Sequence, residues 1–385
     1  MLSFLSTGLG SLAAVSLGVQ LWQFFAALRF PLHRRDIISS PLPGVSILKP
    51  LKGCDLHTRA CLESWFDITY PGPFQILFGV HDPADPVCET VRSIIATHPN
   101  VDARLVICPE KLGINAKVST LIQLRREAIH PVLIVSDADV KIQNGVLASL
   151  VAPLDQPHVG LVNCFYRLAN PTTVAMKWEA VCINVDFWSQ VLQSITLKPQ
   201  DFALGAAMSF RNTDLAQIGG FEGLADHLAD DYQLGHRLAR QGLAVQLATT
   251  VVECWDSPAD WAAVWSHQLR WNRTIRVCQP GPYAASIVAN LTLWTGLWCV
   301  SRHDWTAVTT LAGILGLRMV LASILARRIS RGDRVDEALA LGLLAPLKDV
   351  LGGAVWLAAL FGHRVIWRGV AYTVQADGRL IPAES

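Results

Sequence analysis

Two aspartates separated by one residue, Asp137 and Asp139, end the stretch VLIVSDADV at 132–140. The apolar residues before them predict a strand that is buried on both faces. Ligands of open α/β sheets bind beyond the carboxyl ends of the strands, where both carboxylates would stand. Two carboxylates with room for phosphate oxygens suit a hard divalent cation. An ordinary acidic turn is the alternative, and the pair alone does not exclude it.

Further charged and aromatic residues fall at predicted loop positions or helix starts. They are Asp85, Lys117, Asp230, Asp231 and the sequence HQLRW at 267–271. Each has a plain structural interpretation alone: a turn former, a solvated lysine, charges favourable at a helix N-terminus, a packing tryptophan. These residues follow one another along a series of alternating strands and helices. This order favours a single site at one edge of a sheet.

Strands and helices are predicted to alternate between residues 36 and 282. The predicted strands are 45–48 (closed by Pro50), 74–80, 104–107, the run before Asp137, and 161–166. The predicted helices are 58–65, 88–97, 116–128, 233–240 and 261–276. This alternation predicts an α/β unit with a mixed, mostly parallel sheet. The aromatic segment 174–195 is expected at a membrane interface.

Composition excludes some classes of function. The net charge of +1 gives no support to nucleic-acid binding, so we expect no nucleic-acid partner. Of the 385 residues, 51% are hydrophobic and only 16% charged, which is unusual for a soluble enzyme. The nine cysteines show no metal-ligand spacing. They are expected to be reduced thiols of a protein that faces the cytosol.

The N-terminal segment 1–30 is predicted to cross a membrane. It carries no charge before Arg29 and exceeds the roughly 20 apolar residues that a bilayer core requires. A cleaved signal peptide is disfavoured, because the run is too long and lacks a basic start. Arg29, His33, Arg34 and Arg35 then place the following unit in the cytoplasm by the positive-inside rule.

Apolar character returns from about residue 283. Two further spans are predicted at 284–300 and 305–326, and a basic cluster at 327–334 follows them. The segment 338–361 is apolar but contains Pro346, Lys348 and Asp349, so a span and a re-entrant pair of half-helices both stay open. The expected organisation is an anchor at 1–30, a catalytic unit at 36–282, transmembrane helices at 283–362 and a tail at 363–385.

The ordered set of sites resembles the ceramide glucosyltransferase family and its bacterial relatives that glycosylate hopanoids. Three aspartate motifs followed by (Q/R)xxRW mark that family, and here Asp85 in DPADP, Asp137 in SDADV, Asp231 in LADDYQLG and 267–271 match them. PGVSILKPLKGCD, HPNVDARLVI, GINAKVSTL and FEGLADHLADDY match as well. His267 departs from the pattern, because neither Gln nor Arg opens the last motif. Asp137 and Asp139 form a complete Asp-x-Asp pair, which is the commoner pattern in the wider GT-A class of glycosyltransferases.

The resemblance implies a GT-A nucleotide-sugar-binding fold with N- and C-terminal transmembrane helices. It implies an inverting, non-processive transfer of glucose or N-acetylglucosamine from a UDP-sugar to a membrane lipid such as ceramide or a hopanoid. Asp231 would be the catalytic base, and Asp139 with Asp137 would bind Mg²⁺ or Mn²⁺. The expected donor contacts are Asp85, Lys117, Asp137, His267, Arg270 and Trp271. A processive polysaccharide synthase is the alternative, although such enzymes usually have more spans.

Overall fold

The computed structural model describes residues 2–34, 41–332, 334–367 and 370–383. Arg35 of the N-terminal basic cluster, the predicted boundary at 36 and the last two residues of the tail lie outside these ranges. All nine cysteines fall within them, and all are free thiols, most of them buried or half-buried. The expectation of reduced cysteines agrees with this structure.

One eight-stranded sheet, in the order β3-β2-β1-β4-β7-β6-β8-β5, organises residues 45–254. Its strands are β1 (Val45–Leu51), β2 (Phe74–Val80), β3 (Asp102–Ile107), β4 (Val132–Ser136), β5 (Val140–Lys141), β6 (Val159–Leu168), β7 (Ala207–Arg211) and β8 (Ala244–Cys254). The first four strands of this order are parallel, and so are β6 and β8. The contacts of β7 with its neighbours and of β8 with β5 are antiparallel. The predicted mixed sheet is therefore confirmed.

The central strand β4 is buried on both faces, as its apolar run predicts. Val132 and Ile134 pack into one apolar layer, and Leu133 and Val135 pack into the layer on the other face. Because successive side chains of a strand point to opposite faces, an uninterrupted apolar run fills both layers. Burial on two sides fixes where β4 ends, and therefore fixes the position of Asp137.

Two details of the sheet differ from the sequence prediction. Strand β1 continues through Pro50 to Leu51, because beyond Leu48 it pairs with β2 alone and the missing N–H of proline costs little there. The sequence analysis also omits three strands, the short β5 and β7 and the eleven-residue β8, which pairs with β6 over most of its length. Its β-branched run at 249–252 is a typical strand signal.

Fourteen α-helices occur in the described ranges. They are α1 (Leu2–Arg29), α2 (Thr58–Glu63), α3 (Val87–Thr97), α4 (Ala116–Arg126), α5 (Val146–Val151), α6 (Val174–Val181), α7 (Trp188–Leu197), α8 (Asn212–Gln217), α9 (Asp230–Arg240), α10 (Trp261–Cys278), α11 (Pro280–Ser286), α12 (Leu291–Arg302), α13 (Trp305–Ile329) and α14 (Val335–Leu360). A π-helical turn, Cys182–Phe187, joins α6 to α7. The aromatic segment at 174–195 is thus one nearly continuous helical element.

Within the ranges that the structure describes, three helices, α1, α13 and α14, are long and apolar enough to cross a membrane. The predicted span at 284–300 is instead broken: the helical stretch Pro280–Ala289 meets α12 at an angle of 54°. Asn290 at the break caps α12 by accepting a hydrogen bond from the Leu293 N–H. The segment 338–361 forms one continuous helix rather than two half-helices, although Pro346 lies inside it.

A buried charge network joins these helices to the π-helical turn. Arg318 of α13 donates to Asp186 at 2.9 Å and to Asp349 of α14 at 2.9 Å. Lys348 contacts the same two carboxylates. Two positive and two negative charges offset one another, which limits the cost of burying them away from water.

The tail folds into a second, three-stranded antiparallel sheet. Its strands are β9 (Arg364–Trp367), β10 (Val370–Val374) and β11 (Leu380–Pro382). We call these three strands the C-terminal sheet. It packs beside the residues that precede α9.

Candidate active site

The carboxyl end of β4 carries the paired aspartates. Asp137 follows the strand directly, and its N–H donates to the Ala206 carbonyl at 3.3 Å. The Val140 N–H closes the turn on the Asp137 carbonyl at 3.4 Å. The turn therefore holds Asp137 and Asp139 at the edge of the sheet that the sequence predicts for them.

Lys117 connects this turn to α9. The Asn115 side chain caps α4 by accepting from the Val118 N–H, which places Lys117 in the first turn of the helix. Its Nζ lies 2.8 Å from Asp137 Oδ1 and 3.3 Å from Asp230 Oδ2. Burial alone would lower the pKa of Lys117, but the two carboxylates outweigh it and raise that pKa. One ammonium thus bridges two of the predicted motifs.

Asp231, the predicted base, lies in the first turn of α9 beside this bridge. Its Oδ1 accepts from the Tyr232 N–H at 2.7 Å. Burial, and then the neighbouring Asp230 carboxylate, raises the pKa of Asp231 to about 6. A carboxylate with this pKa is largely ionised at neutral pH and still takes up a proton readily.

Gly205 leaves room for the Asp231 carboxylate. A Cβ at position 205 would lie 2.6 Å from Asp231 Oδ2 and 3.2 Å from its Cγ. Non-bonded contacts this short are not tolerated, so the carboxylate would have to move. The sequence analysis does not single out Gly205, because its role depends on a residue 26 positions later.

We therefore expect Gly205→Ala to lower kcat by about 10²-fold, since a shift of about 1 Å in a reacting group costs that much. Gly281→Ala is the matched control, because a Cβ at that position meets nothing within 4 Å. Steady-state kinetics and thermal unfolding of both variants check the prediction. Equal kcat values in the two variants would contradict it.

The donor chemistry around Asp139 suits a divalent cation. Burial, and then the Asp137 and Asp256 carboxylates, raises the pKa of Asp139 to about 7. This crowding of negative groups is relieved when a cation binds among them. The described residues contain no group of three or more His, Cys, Asp or Glu side chains placed to hold a metal. A divalent cation held by Asp137 and Asp139 would need phosphate oxygens and water as its further ligands.

Asp85 lies at the carboxyl end of β2, as predicted, but bonds within its own surroundings. Its carboxylate accepts from the Gly53 N–H at 2.8 Å and from the Val87 N–H at 3.0 Å. It therefore holds the loop after β1 and begins α3. Its predicted contact with the donor remains a prediction.

The HQLRW residues lie on α10, where a buried glutamate of α6 holds them. Glu179 Oε1 lies 2.7 Å from His267 Nδ1 and accepts from Gln268 Nε2 at 2.8 Å. The Trp271 ring packs with its centroid 4.6 Å from that of His267. Arg270 is half-buried on the same helix. Because Glu179 occupies one ring nitrogen of His267, the other nitrogen is left for a donor contact, and that role remains a prediction.

Tyr166 of β6 links α10 to the carboxylates. Its ring lies 6.4 Å from Trp271, and burial together with acidic neighbours that include Asp231 and Asp137 raises its pKa. Phe187 packs against both rings, with its centroid 5.4 Å from that of Tyr166 and 6.4 Å from that of Trp271. The sequence analysis misses Tyr166, because one tyrosine within an apolar strand carries no functional signal.

Lys49 lies beneath the paired aspartates and is also missed. It is fully buried in β1, where Nζ donates to the Asp137 carbonyl at 2.8 Å and to Ser136 Oγ at 3.3 Å. The ammonium lies over the Trp65 ring, and burial lowers its pKa to about 7. Lysine is rarely buried completely, so sequence alone does not predict its burial. The sequence signal that could have identified Lys49 is the Lys-Pro pair at the end of the apolar run.

Comparisons with known proteins find similarity to glycosyltransferases. The family model described as glycosyl transferase family 21 matches residues 8–380. Ceramide glucosyltransferases 1 and 3 of Caenorhabditis elegans are 26% and 27% identical over 232 and 217 residues. Those matches cover 60% and 56% of this chain and 49% and 46% of the relatives. The chain thus spans about half the length of the curated relatives it matches.

A solved structure supports the fold. A mannosyltransferase from Pyrobaculum calidifontis, in complex with GDP-Man and Mn²⁺, aligns with a TM-score of 0.51 at 18% identity. The alignment covers 91% of this chain and 99% of that one. The GT-A fold expected from the sequence is confirmed. With a family model that matches nearly the whole chain, the protein belongs to glycosyl transferase family 21.

Proposed function

We propose that this glycosyltransferase is inverting and non-processive, and that it moves a hexose from a UDP-sugar to the hydroxyl of a membrane lipid. Glucose and N-acetylglucosamine are the candidate sugars, and ceramide and hopanoids are the candidate acceptors. The observation that carries the proposal is the ion-pair bridge of Lys117 to Asp137 and Asp230. This bridge supports a single centre that contains the paired aspartates and the catalytic candidate Asp231.

The donor side of the proposal uses Asp137 and Asp139 to hold Mg²⁺ or Mn²⁺. When bound, the metal would offset the negative charge that develops on the diphosphate leaving group. Arg270 adds a planar guanidinium that can bind phosphate oxygens in pairs. Asp85, Lys117, His267 and Trp271 complete the proposed donor contacts.

The acceptor side uses Asp231. Its carboxylate removes the proton from the acceptor hydroxyl while that oxygen attacks the anomeric carbon. The bond between this carbon and the diphosphate oxygen breaks on the opposite face, and UDP leaves with the electron pair. One displacement inverts the anomeric configuration. The raised pKa of Asp231 suits a base that works near neutral pH.

The membrane side rests on the apolar helices. We propose that the segments 1–30 and 283–362 hold the catalytic unit 36–282 on the bilayer, with the tail 363–385 beside it. Arg29 at the end of α1 and Arg327 and Arg328 at the end of α13 favour a cytoplasmic catalytic unit by the positive-inside rule. Arg328 donates to the carbonyls of Leu28 and Phe30, so both helix ends lie together. The lipid hydroxyl would arrive from the bilayer.

The test supplies the purified protein in vesicles with labelled UDP-glucose or UDP-N-acetylglucosamine and with ceramide or a hydroxylated hopanoid. We expect one pair of substrates to give a lipid that carries a single sugar. A product of many sugar units would favour the processive synthase instead. Release of free sugar alone, with no labelled lipid, would overturn the proposed acceptor.

A further inference from the structure

The C-terminal sheet holds the loop that leads into α9. We call residues 225–229 the catalytic loop, because Asp230 and Asp231 follow it directly. The Leu380 N–H donates to the Asp226 carbonyl at 2.7 Å, and the Leu228 N–H donates to the Gly378 carbonyl at 3.2 Å. His227 and Arg379 form an antiparallel bridge between these bonds. The backbone of the catalytic loop thus pairs with the tail.

The opposite edge of the catalytic loop pairs with the turn before α4. The Asn115 N–H donates to the Ala225 carbonyl at 2.8 Å, and Asn115 Nδ2 donates to the His227 carbonyl at 2.8 Å. The Ile114 N–H donates to Asp226 Oδ1 at 3.0 Å. Lys117 is two residues beyond Asn115. The pairing therefore fixes the distance between Lys117 and the residues that follow the loop.

Apolar packing closes this arrangement. Leu228 of the catalytic loop is buried against Val365, Val374 and Leu380 of the C-terminal sheet. Val277 of α10 packs against the same cluster. The cluster is separate from the main apolar layers of the catalytic unit. Most of its residues come from the tail.

The C-terminal sheet is also joined to α10, which carries HQLRW. Arg273 donates to the Arg364 carbonyl of β9 and to the Phe361 carbonyl just before it, and Arg276 Nη2 donates to the Gly362 carbonyl at 2.8 Å. Close to these bonds, Tyr232 donates to the Cys278 carbonyl at 3.0 Å. The tail, α10 and the start of α9 therefore contact one another at the same place.

We propose that the C-terminal sheet is a strap that positions Asp231 against Lys117 and α10, with Leu380 as its central positioning residue. This inference rests on the proposed role of Asp231 as the base. A strap with this role sets the rate of proton removal and leaves donor binding nearly intact. A strap that only covers apolar surface would change stability alone.

The test compares Leu380→Ala with Ile381→Ala in the full-length protein. Leu380 is 1% exposed and its neighbour Ile381 is 41% exposed, so the second variant removes similar volume without touching the cluster. We expect Leu380→Ala to lower kcat by about 10- to 100-fold, because a displacement near 1 Å costs this much. Donor KM should stay nearly unchanged, and Leu380→Met, which keeps the volume, should restore kcat. Leu380→Val replaces Leu380→Ala if the alanine variant does not fold.

Equal kcat values for folded Leu380→Ala and Ile381→Ala would overturn the strap. Hydrogen exchange of residues 224–232 gives a second readout that does not depend on activity. We expect faster exchange in Leu380→Ala and wild-type exchange in Ile381→Ala. If the wild type transfers no sugar, the proposed function fails, and the exchange result alone then decides the strap. Unchanged exchange in Leu380→Ala would contradict it.

Discussion

Asp231→Asn is expected to lower kcat by about 10²- to 10⁴-fold, the usual contribution of a positioned general base. Asparagine keeps the shape of the side chain and still accepts the hydrogen bond from the Tyr232 N–H, so the fold and donor KM should change little. Steady-state kinetics with both substrates varied measures the effect. Asp230→Asn is the control and should be milder, because Lys117 keeps its contact with Asp137. If Asp230→Asn is inactive and Asp231→Asn is active, then the base is Asp230 and not Asp231.

The pH dependence of kcat tests the same assignment. A base works only when deprotonated, so kcat should rise with pH through about 6 and then level off, following the raised pKa of Asp231. Burial is the main cause of this raised pKa, and the Asp230 carboxylate is the second. Asp230→Asn should therefore move the inflection to lower pH. If the inflection does not move, the group that titrates is not a member of the pair Asp230 and Asp231.

Asp139→Asn is expected to abolish activity at ordinary metal concentrations while the protein stays folded. Removing one of the crowded carboxylates weakens the attraction for a divalent cation. Binding of UDP with and without Mn²⁺, measured by calorimetry, should show that the metal strengthens binding in the wild type and has no such effect in the variant. Asp102→Asn is the control. Asp102 lies at the amino end of β3, whereas the site lies at the carboxyl ends of the strands. Full activity in the presence of a strong chelator would show that transfer does not need the metal.

The sequence predicts the positions of the site residues well where a buried strand ends abruptly. Strand β4 is apolar up to its last residue, Ser136, and buried on both faces, so the first charged residue after it, Asp137, has to stand at the edge of the sheet. The same reasoning places Asp85 after β2. Local composition suffices here because burial on two faces leaves a strong and continuous pattern.

Contacts between distant segments are less predictable. Glu179 meets His267 across 88 positions, and Gly205 meets Asp231 only after β7 and α9 have packed. Lys49 interrupts an apolar run, so sequence pattern treats it as a break although the strand buries it completely. These contacts follow from the order of strands in the sheet, which the local periodicity of the sequence does not contain.

The membrane helices show the same division. Length and apolar composition predict α1 and α13, whereas they do not predict the bend before α12, which falls at Asn290, whose side chain donates to the Asp349 carbonyl at 2.7 Å. The sequence leaves two arrangements open for 338–361, since it contains Pro346, Lys348 and Asp349. Contacts of these charges with Arg318 and Asp186 permit one continuous helix.

The anomeric configuration of the product tests the central claim most directly. In UDP-glucose and UDP-N-acetylglucosamine the sugar is joined to the diphosphate in the α configuration. A single displacement assisted by Asp231 has to give a β-linked glycolipid. Proton NMR of the purified lipid product distinguishes the two configurations through the coupling of the anomeric proton. We predict a β linkage, and an α-linked product would contradict the mechanism.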